Sequence, residues 1–145
     1  EMDFVENMIH LDVRNNSAWN YRFYLFHSRY PSLTTDQLRQ EMDFAWKYIN
    51  RSPNNQSSWG YLRGLLKHNQ WNLADQVEKI CLEFSEKHKF CSNVYSLLVE
   101  LYQRKATKEA TQQALTYCDK LLSLPTMYQK KYWELRRNQL KETIV

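Results

Sequence analysis

Residues 15–22 read NNSAWNYR, and residues 55–62 read NQSSWGYL. Each stretch sets Asn four positions before Trp and holds Ser and Tyr at matching places. The offset of forty extends outward from there. Residues 1–4 and 41–44 are both EMDF, Ile9 meets Ile49, and Leu25 meets Leu65; with Asn15/Asn55, Ser17/Ser57, Trp19/Trp59 and Tyr21/Tyr61 that gives ten identities in the first 25 positions. Self-similarity at a spacing of 20–50 residues marks a repeat architecture.

The repeat is helical. Only two glycines and three prolines interrupt 145 residues, too few for the turns of a β-rich fold. Phe4, Val5, Met8 and Ile9 share one helical stripe, which predicts a helix over about 1–12. Ser17 reads as the N-cap of a second, which ends before Pro31. A third follows Thr34 and Thr35 and stops before Pro53; a fourth covers 57–68. Asn72 reads as the cap of a fifth, with Val77, Ile80, Cys81 and Phe84 on its stripe. Ser92 and Thr107 open the sixth and seventh, and the eighth lies around Tyr128, Tyr132, Leu135 and Arg136. The expected fold is all-α: an α-solenoid, or α-α superhelix, of about four hairpins over 1–30, 34–68, 72–105 and 107–142 in a single domain. Each hairpin leaves an apolar face that a neighbour must cover. Because the chain opens on Glu within a helix, it reads as the C-terminal piece of a longer protein, with an apolar end at Phe4, Val5 and Met8 prone to self-association.

Composition narrows the function. Twenty basic and sixteen acidic residues are intermingled for a net +4, too mild to predict nucleic-acid binding. No apolar run approaches the ~18 residues of a membrane span, and the opening residues lack a signal-peptide pattern. Three cysteines, Cys81, Cys91 and Cys118, form no disulfide framework and read as reduced thiols of an intracellular protein.

The motif Asn-x-x-x-Trp-x-x-Arg at a hairpin turn resembles the repeat of protein prenyltransferase α subunits. The first copy fits through Asn15, Trp19 and Arg22. The second keeps Asn55 and Trp59 but places Leu62 where Arg is expected. The segments HLDVRNNSAWNYR and NNQSSWGYLRGLL are similar to later repeats of the α subunits shared by farnesyl- and geranylgeranyl-transferring enzymes. The closing YQKKYWELRRNQL resembles their final helix, with Tyr132 and Trp133 as its aromatic pair. The resemblance implies a cytoplasmic heterodimer with a β subunit, which attaches a prenyl group to the cysteine of a C-terminal Cys-a-a-X motif. It implies no cofactor in this chain; zinc belongs on the β subunit, with magnesium a second candidate in the assembled enzyme. Prenyl diphosphate and Cys-a-a-X proteins would be met only through the heterodimer. The family's diphosphate-facing lysine precedes the motif Asn of an upstream repeat, a position held here by Arg14 and Asn54. The tyrosine that follows the family's Asn is Asn16 and Gln56 here. No catalytic residue is therefore expected in this chain, and the turns carrying Arg14, Asn16, Ser17, Asn54 and Gln56 are the partner-interface candidates.

Other constellations read as structural. Cys81, His88 and Cys91 match no zinc spacing, and His10, His27 and His68 belong to no triad pattern. Gly60 and Gly64 predict a close helix approach. Lys130, Lys131, Arg136, Arg137 and Lys141 read as a solvated face, with a partner surface second. Trp19, Trp46, Trp59 and Trp133 read as core, whereas Trp71, in a polar stretch, is a candidate exposed contact. The competing function is a stand-alone tetratricopeptide-like peptide-binding module, against which the forty-residue offset argues. A self-sufficient enzyme would need a nucleophile elbow, phosphate loop or metal set that the sequence does not display.

Overall fold

The computed structural model describes residues 1–125 and 129–144, and among these the regular structure is eight α-helices with no strand. They are α1 (Met2–Leu11), α2 (Asn16–Arg29), α3 (Thr35–Arg51), α4 (Gln56–His68), α5 (Ala74–Lys87), α6 (Ser92–Lys105), α7 (Lys108–Ser123) and α8 (Lys130–Ile144). Two compact units contain them, Glu1–Ala74 and Asp75–Val145.

In the first unit α1 packs on α2 and α3 on α4, and the two second helices, α2 and α4, pack on each other. Local chemistry sets the ends. Thr34 opens α3 with a capping box: its hydroxyl accepts from Gln37 N–H and the Gln37 side chain accepts from Thr34 N–H. α2 is capped by Asn15, whose side chain accepts from Ala18 N–H at 3.1 Å, and not by Ser17 as the sequence predicts. Ser17 already lies inside the helix, and Trp19 N–H, two residues beyond it, is already taken by Asn15 C=O as the first intrahelical bond. Asn55 repeats the role at α4, accepting from Ser57 N–H at 3.2 Å. Val5, Ile9, Leu38, Ile49, Leu62, Leu65 and Leu66 are fully buried with the indoles of Trp19 and Trp59. Each aliphatic side chain contributes about 1.5–3 kcal/mol by leaving water.

The chain leaves α4 by a left-handed turn. Gln70 stands at φ 54°, Trp71 at φ 60° and Leu73 at φ 69°, and Trp71 N–H closes on Leu66 C=O at 2.8 Å, the Schellman arrangement that satisfies a terminal carbonyl. Trp71 is thereby half-buried, not an open contact. Leu73, not Asn72, is the residue directly before α5, because the turn takes one residue more than the sequence suggests.

In the second unit α7 packs on both α6 and α8, while Lys105 on Glu78 at 2.6 Å ties α6 to α5. Val77, Cys81 and Phe84 of α5 are buried as expected, but Ile80 is exposed. Tyr117 stacks between Tyr95 and Tyr102, both ring centroids 5.9 Å away. Thr107 caps α7 through Ala110 N–H. On α8, Trp133 and Leu140 are buried while Tyr132 and Leu135 are exposed, since the helix offers only a narrow apolar stripe; Tyr128 lies outside the described residues. Arg136 binds Gln103 and Arg137 binds Asp119 at 3.2 Å, so two members of the basic cluster fasten α8 to its neighbours while Lys130, Lys131 and Lys141 are solvated.

Among the described residues no helix is long and apolar enough to cross a membrane.

Candidate functional site

The repeated turn is the most constrained feature of the first unit. At its centre, the Val13 carbonyl accepts two hydrogen bonds. One comes from Trp19 Nε1–H of the same hairpin and one from Asn55 Nδ2–H of the next, both at 2.8 Å. Trp59 repeats the indole bond to Pro53 C=O at 2.8 Å. The motif Asn thus works at both ends: Oδ1 caps its own helix, and in the second copy Nδ2 grips the preceding turn. Buried polar groups must be paired in this way or cost about 1–3 kcal/mol each.

The motif Arg makes the second link. Arg22 and Glu41 are both buried and meet in a two-pronged ion pair, Nε to Oε1 at 2.5 Å and Nη2 to Oε2 at 3.1 Å. Tyr61 O–H donates to the same Oε1 at 2.6 Å, and the guanidinium lies 3.4 Å from the centre of the Phe44 ring. Burial opposes the charge on Arg22, but the hydrogen bonds and charge of Glu41 more than restore it, holding its pKa above the usual value. Burial, followed by the adjoining carboxylate, pushes the Tyr61 hydroxyl far up. These groups explain the EMDF phrase. Glu41 receives Arg22 and Tyr61, Met42 is core, and Phe44 supports the guanidinium. In the first copy Tyr21 O–H likewise donates to Glu1, at 2.7 Å. The recurring Glu-to-Tyr spacing of twenty (Glu1/Tyr21, Glu41/Tyr61) was the signal in the sequence for this network.

The residues that build the turn of the third, degenerate copy escaped sequence reading. Cys91 N–H bonds His88 C=O at 3.1 Å, as Asn15 bonds Asp12 and Asn55 bonds Ser52. Tyr95 O–H then reaches Lys89 C=O at 2.8 Å, six residues back, as each Trp does. The spacing has shortened from 40 (Asn15 to Asn55) to 36 (Asn55 to Cys91), Asn has become Cys, and Trp has become Tyr. A phenol replaces the indole because it too combines an apolar ring with a donor. At this offset Arg22 and Leu62 continue as Leu98, and Glu41 as Val77, both fully apolar and buried.

The five interface candidates, Arg14, Asn16, Ser17, Asn54 and Gln56, are all exposed. Asn16 and Gln56 come together in an open groove of about 320 Å³ along α2 and α4, floored by Trp19, Phe23 and Tyr61. Ser57 Oγ–H donates across it to Asn16 Oδ1. Arg14, Ser17 and Asn54 do not line it. Gly64 is closely approached, since a Cβ there would meet the Phe23 ring at 3.3 Å. Gly60 is not: a Cβ would meet nothing within 4 Å, so its missing side chain widens the groove instead of admitting a helix. Among the described residues no three His, Cys, Asp or Glu side chains assemble as a metal site.

Helical hairpins joined by an Asn-capped turn, an indole-to-carbonyl bond and a buried Arg–Glu pair define a helical-repeat protein of one particular kind. Residues 1–29 and 38–69 match the family model of the protein prenyltransferase alpha subunit repeat, and the first two hairpins are repeats of that family. Over 146 aligned residues the chain is 33% identical to the Protein farnesyltransferase/geranylgeranyltransferase type-1 subunit alpha of Dictyostelium discoideum, covering 99% of this chain and 45% of that protein. It is 36% identical over 86 residues to the protein of that name from Arabidopsis thaliana, covering 57% of this chain and 26% of the relative. Among solved structures it resembles a chain of Candida albicans protein geranylgeranyltransferase-I complexed with GGPP. There the TM-score is 0.82 at 26% identity, covering 97% of this chain and 46% of that one. The chain thus spans about half the length, or less, of the proteins it matches.

Proposed function

We propose that this chain is scaffold from the α subunit of a heterodimeric, cytoplasmic protein prenyltransferase, which transfers a farnesyl or geranylgeranyl group to the cysteine of C-terminal Cys-a-a-X motifs. The observation that carries the reading is the motif turn, built twice with each Trp donating to the carbonyl six residues back, Val13 and then Pro53, in a chain similar throughout its length to such subunits. The α2–α4 groove, with Asn16 and Gln56 at its rim, is the surface offered to a β subunit. Its polar rim over an aromatic floor suits a partner that buries an apolar anchor within a ring of hydrogen bonds. In this reading zinc belongs to the β subunit, and this chain supplies neither metal ligand nor nucleophile. The tetratricopeptide alternative gains nothing from motif spacings of 40 and 36 residues, since that repeat runs at 34.

The test is affinity purification of the full-length parent from its own cells, followed by a prenylation assay on a Cys-a-a-X peptide. A β chain recovered in near-equal amount, with activity abolished by a zinc chelator while helical signal persists, is the expected result. Recovery of chaperones or assorted peptides without a β chain would move the peptide-binding module to first place.

A further inference from the structure

The last turns of α2 and α4 bring two imidazoles together. His27 and His68, far apart in the chain, stand with ring centres 4.1 Å apart. Phe23 backs both, its ring centre 4.3 Å from that of His27 and 5.5 Å from that of His68. It fits there because Gly64 leaves its ring room. His27 is half-buried and His68 exposed. Both line an open pocket of about 320 Å³, with Tyr30, Asn69 and Gln70 among its other walls.

The hydrogen bonds decide which nitrogen is free. A carbonyl can only accept, so the 2.9 Å contact between His27 Nδ1 and Phe23 C=O fixes the proton on Nδ1 and leaves the lone pair on Nε2. That lone pair meets the Asn69 amide at a long 3.3 Å, and the same amide nitrogen already donates to Leu65 C=O at 2.9 Å. The longer bond is the weaker, and it is readily given up. A histidine whose Nδ1–H is anchored on a backbone carbonyl, with Nε2 left as acceptor at a polar pocket, has the arrangement that metal-binding histidines show. The setting also favours a cation. Both rings belong to last helical turns, where the partial negative charge of a helix end gathers. None of the residues lining the pocket carries a fixed positive charge.

We propose that His27 and His68 together bind one divalent cation of the kind that imidazole suits (zinc, nickel or copper) across the ends of α2 and α4. With metal–nitrogen bonds of about 2.0–2.1 Å and a tetrahedral angle between them, two ligating rings have centres about 5 Å apart. The observed pair therefore opens by about 1 Å on binding, a movement that exposed His68 supplies. Water and the side-chain amides of Asn69 and Gln70, which line the same pocket, are at hand for the remaining positions. Two imidazoles make an exchangeable site, unlike the closed four-ligand sites of structural zinc. The ion braces α2 against α4 and takes no part in the proposed transfer reaction; a missing β partner would leave the inference standing.

The test is equilibrium dialysis of the intact chain, first stripped with a chelator, against zinc chloride, with magnesium in excess to occupy sites built from oxygen. One ion per chain, half-saturating below about 100 μM, is expected. His27→Gln and His68→Gln should each weaken binding at least ~10-fold, whereas His10→Gln and His88→Gln, which remove imidazoles elsewhere, should leave it unchanged. Zinc should also raise the urea midpoint of the unmodified chain and not that of His68→Gln, because only a folded chain holds the two rings together. Absence of saturable binding, or an affinity indifferent to either His27→Gln or His68→Gln, would overturn the proposal. Should His27→Gln fail to fold, His68→Gln, at an exposed position, decides alone.

Discussion

Arg22 shows how much one side chain joins. It belongs to α2, pairs with Glu41 of α3, and shares that carboxylate with Tyr61 of α4. Arg22→Leu alone would strand Glu41 in an apolar setting, and breaking one side of a buried pair costs about 3–5 kcal/mol. Positions equivalent by repeat, Leu98 and Val77, show the apolar alternative. The double variant Arg22→Leu with Glu41→Val should therefore recover more than half of the single variant's loss, the remainder being the Tyr61 hydroxyl left without its acceptor. Urea unfolding of both variants decides the matter; a double variant no better than the single would refute the coupling. In the sequence, Arg22 was readable as part of a motif, whereas its partner showed only through the recurring Glu-to-Tyr spacing of twenty. Glu41 stands nineteen residues away in a charged segment, and nothing local distinguishes a buried carboxylate from a solvated one.

Elements depend on how their ends close. α6 stops at Ala106, which adopts φ 55° with its methyl exposed, a conformation that costs a non-glycine residue about 1–2 kcal/mol. Ala106→Gly should stabilise the chain by about 0.5–1 kcal/mol after the added freedom of the unfolded state is subtracted; a fall in thermal midpoint would contradict this. Where α2 and α4 run together, His27 Nδ1–H donates to Phe23 C=O at 2.9 Å, its Nε2 faces the Asn69 amide at 3.3 Å, and the His68 ring lies 4.1 Å away. Burial lowers the His27 pKa below 6.5, with the Phe23 carbonyl acting against the shift and His68 adding to it. The unfolded chain then takes up the proton first, so stability is full above pH 6.5 and declines as pH falls below it. His27→Gln should flatten the dependence of the urea midpoint between about pH 7.5 and 5.5, the range over which an unperturbed histidine titrates; an equally steep profile would assign the slope to other groups. Helix positions were legible because apolar periodicity and Thr, Asn and Pro markers agree. Cap identity missed by two residues at Ser17, since adjacent Asn, Asn and Ser are all competent caps and only backbone angles choose among them.

Across the whole chain, thiols report on integrity. Among the described residues Cys81, Cys91 and Cys118 form no disulfide and are buried, and burial pushes Cys118 up to about 11 and raises Cys91. The thiolate is the reactive form, so labelling by a disulfide reagent near pH ~8 should proceed at the unfolding rate, and rapid labelling of the native chain would refute the packing. The repeat itself was legible over residues 1–66 because two copies retain the same letters. The third was expected only as a degenerate hairpin, its turn residues hidden by a change of period together with two substitutions that preserve hydrogen bonding but not identity. A search for matching roles, apolar ring plus donor six residues past a carbonyl, would have found Tyr95. The groove was out of reach of the sequence, because Gly60 and Gly64 look alike there and only the packing of Phe23 separates them.

The links through Val13 and Arg22 also bear on where the chain can be cut. Both tie the first hairpin to the second by side chains, and the peptide between Tyr30 and Thr34 takes no part in either. Covalent continuity at that loop is therefore not what keeps these hairpins together. A protease nick there should leave two fragments that travel as one species through a sizing column and separate only in denaturant.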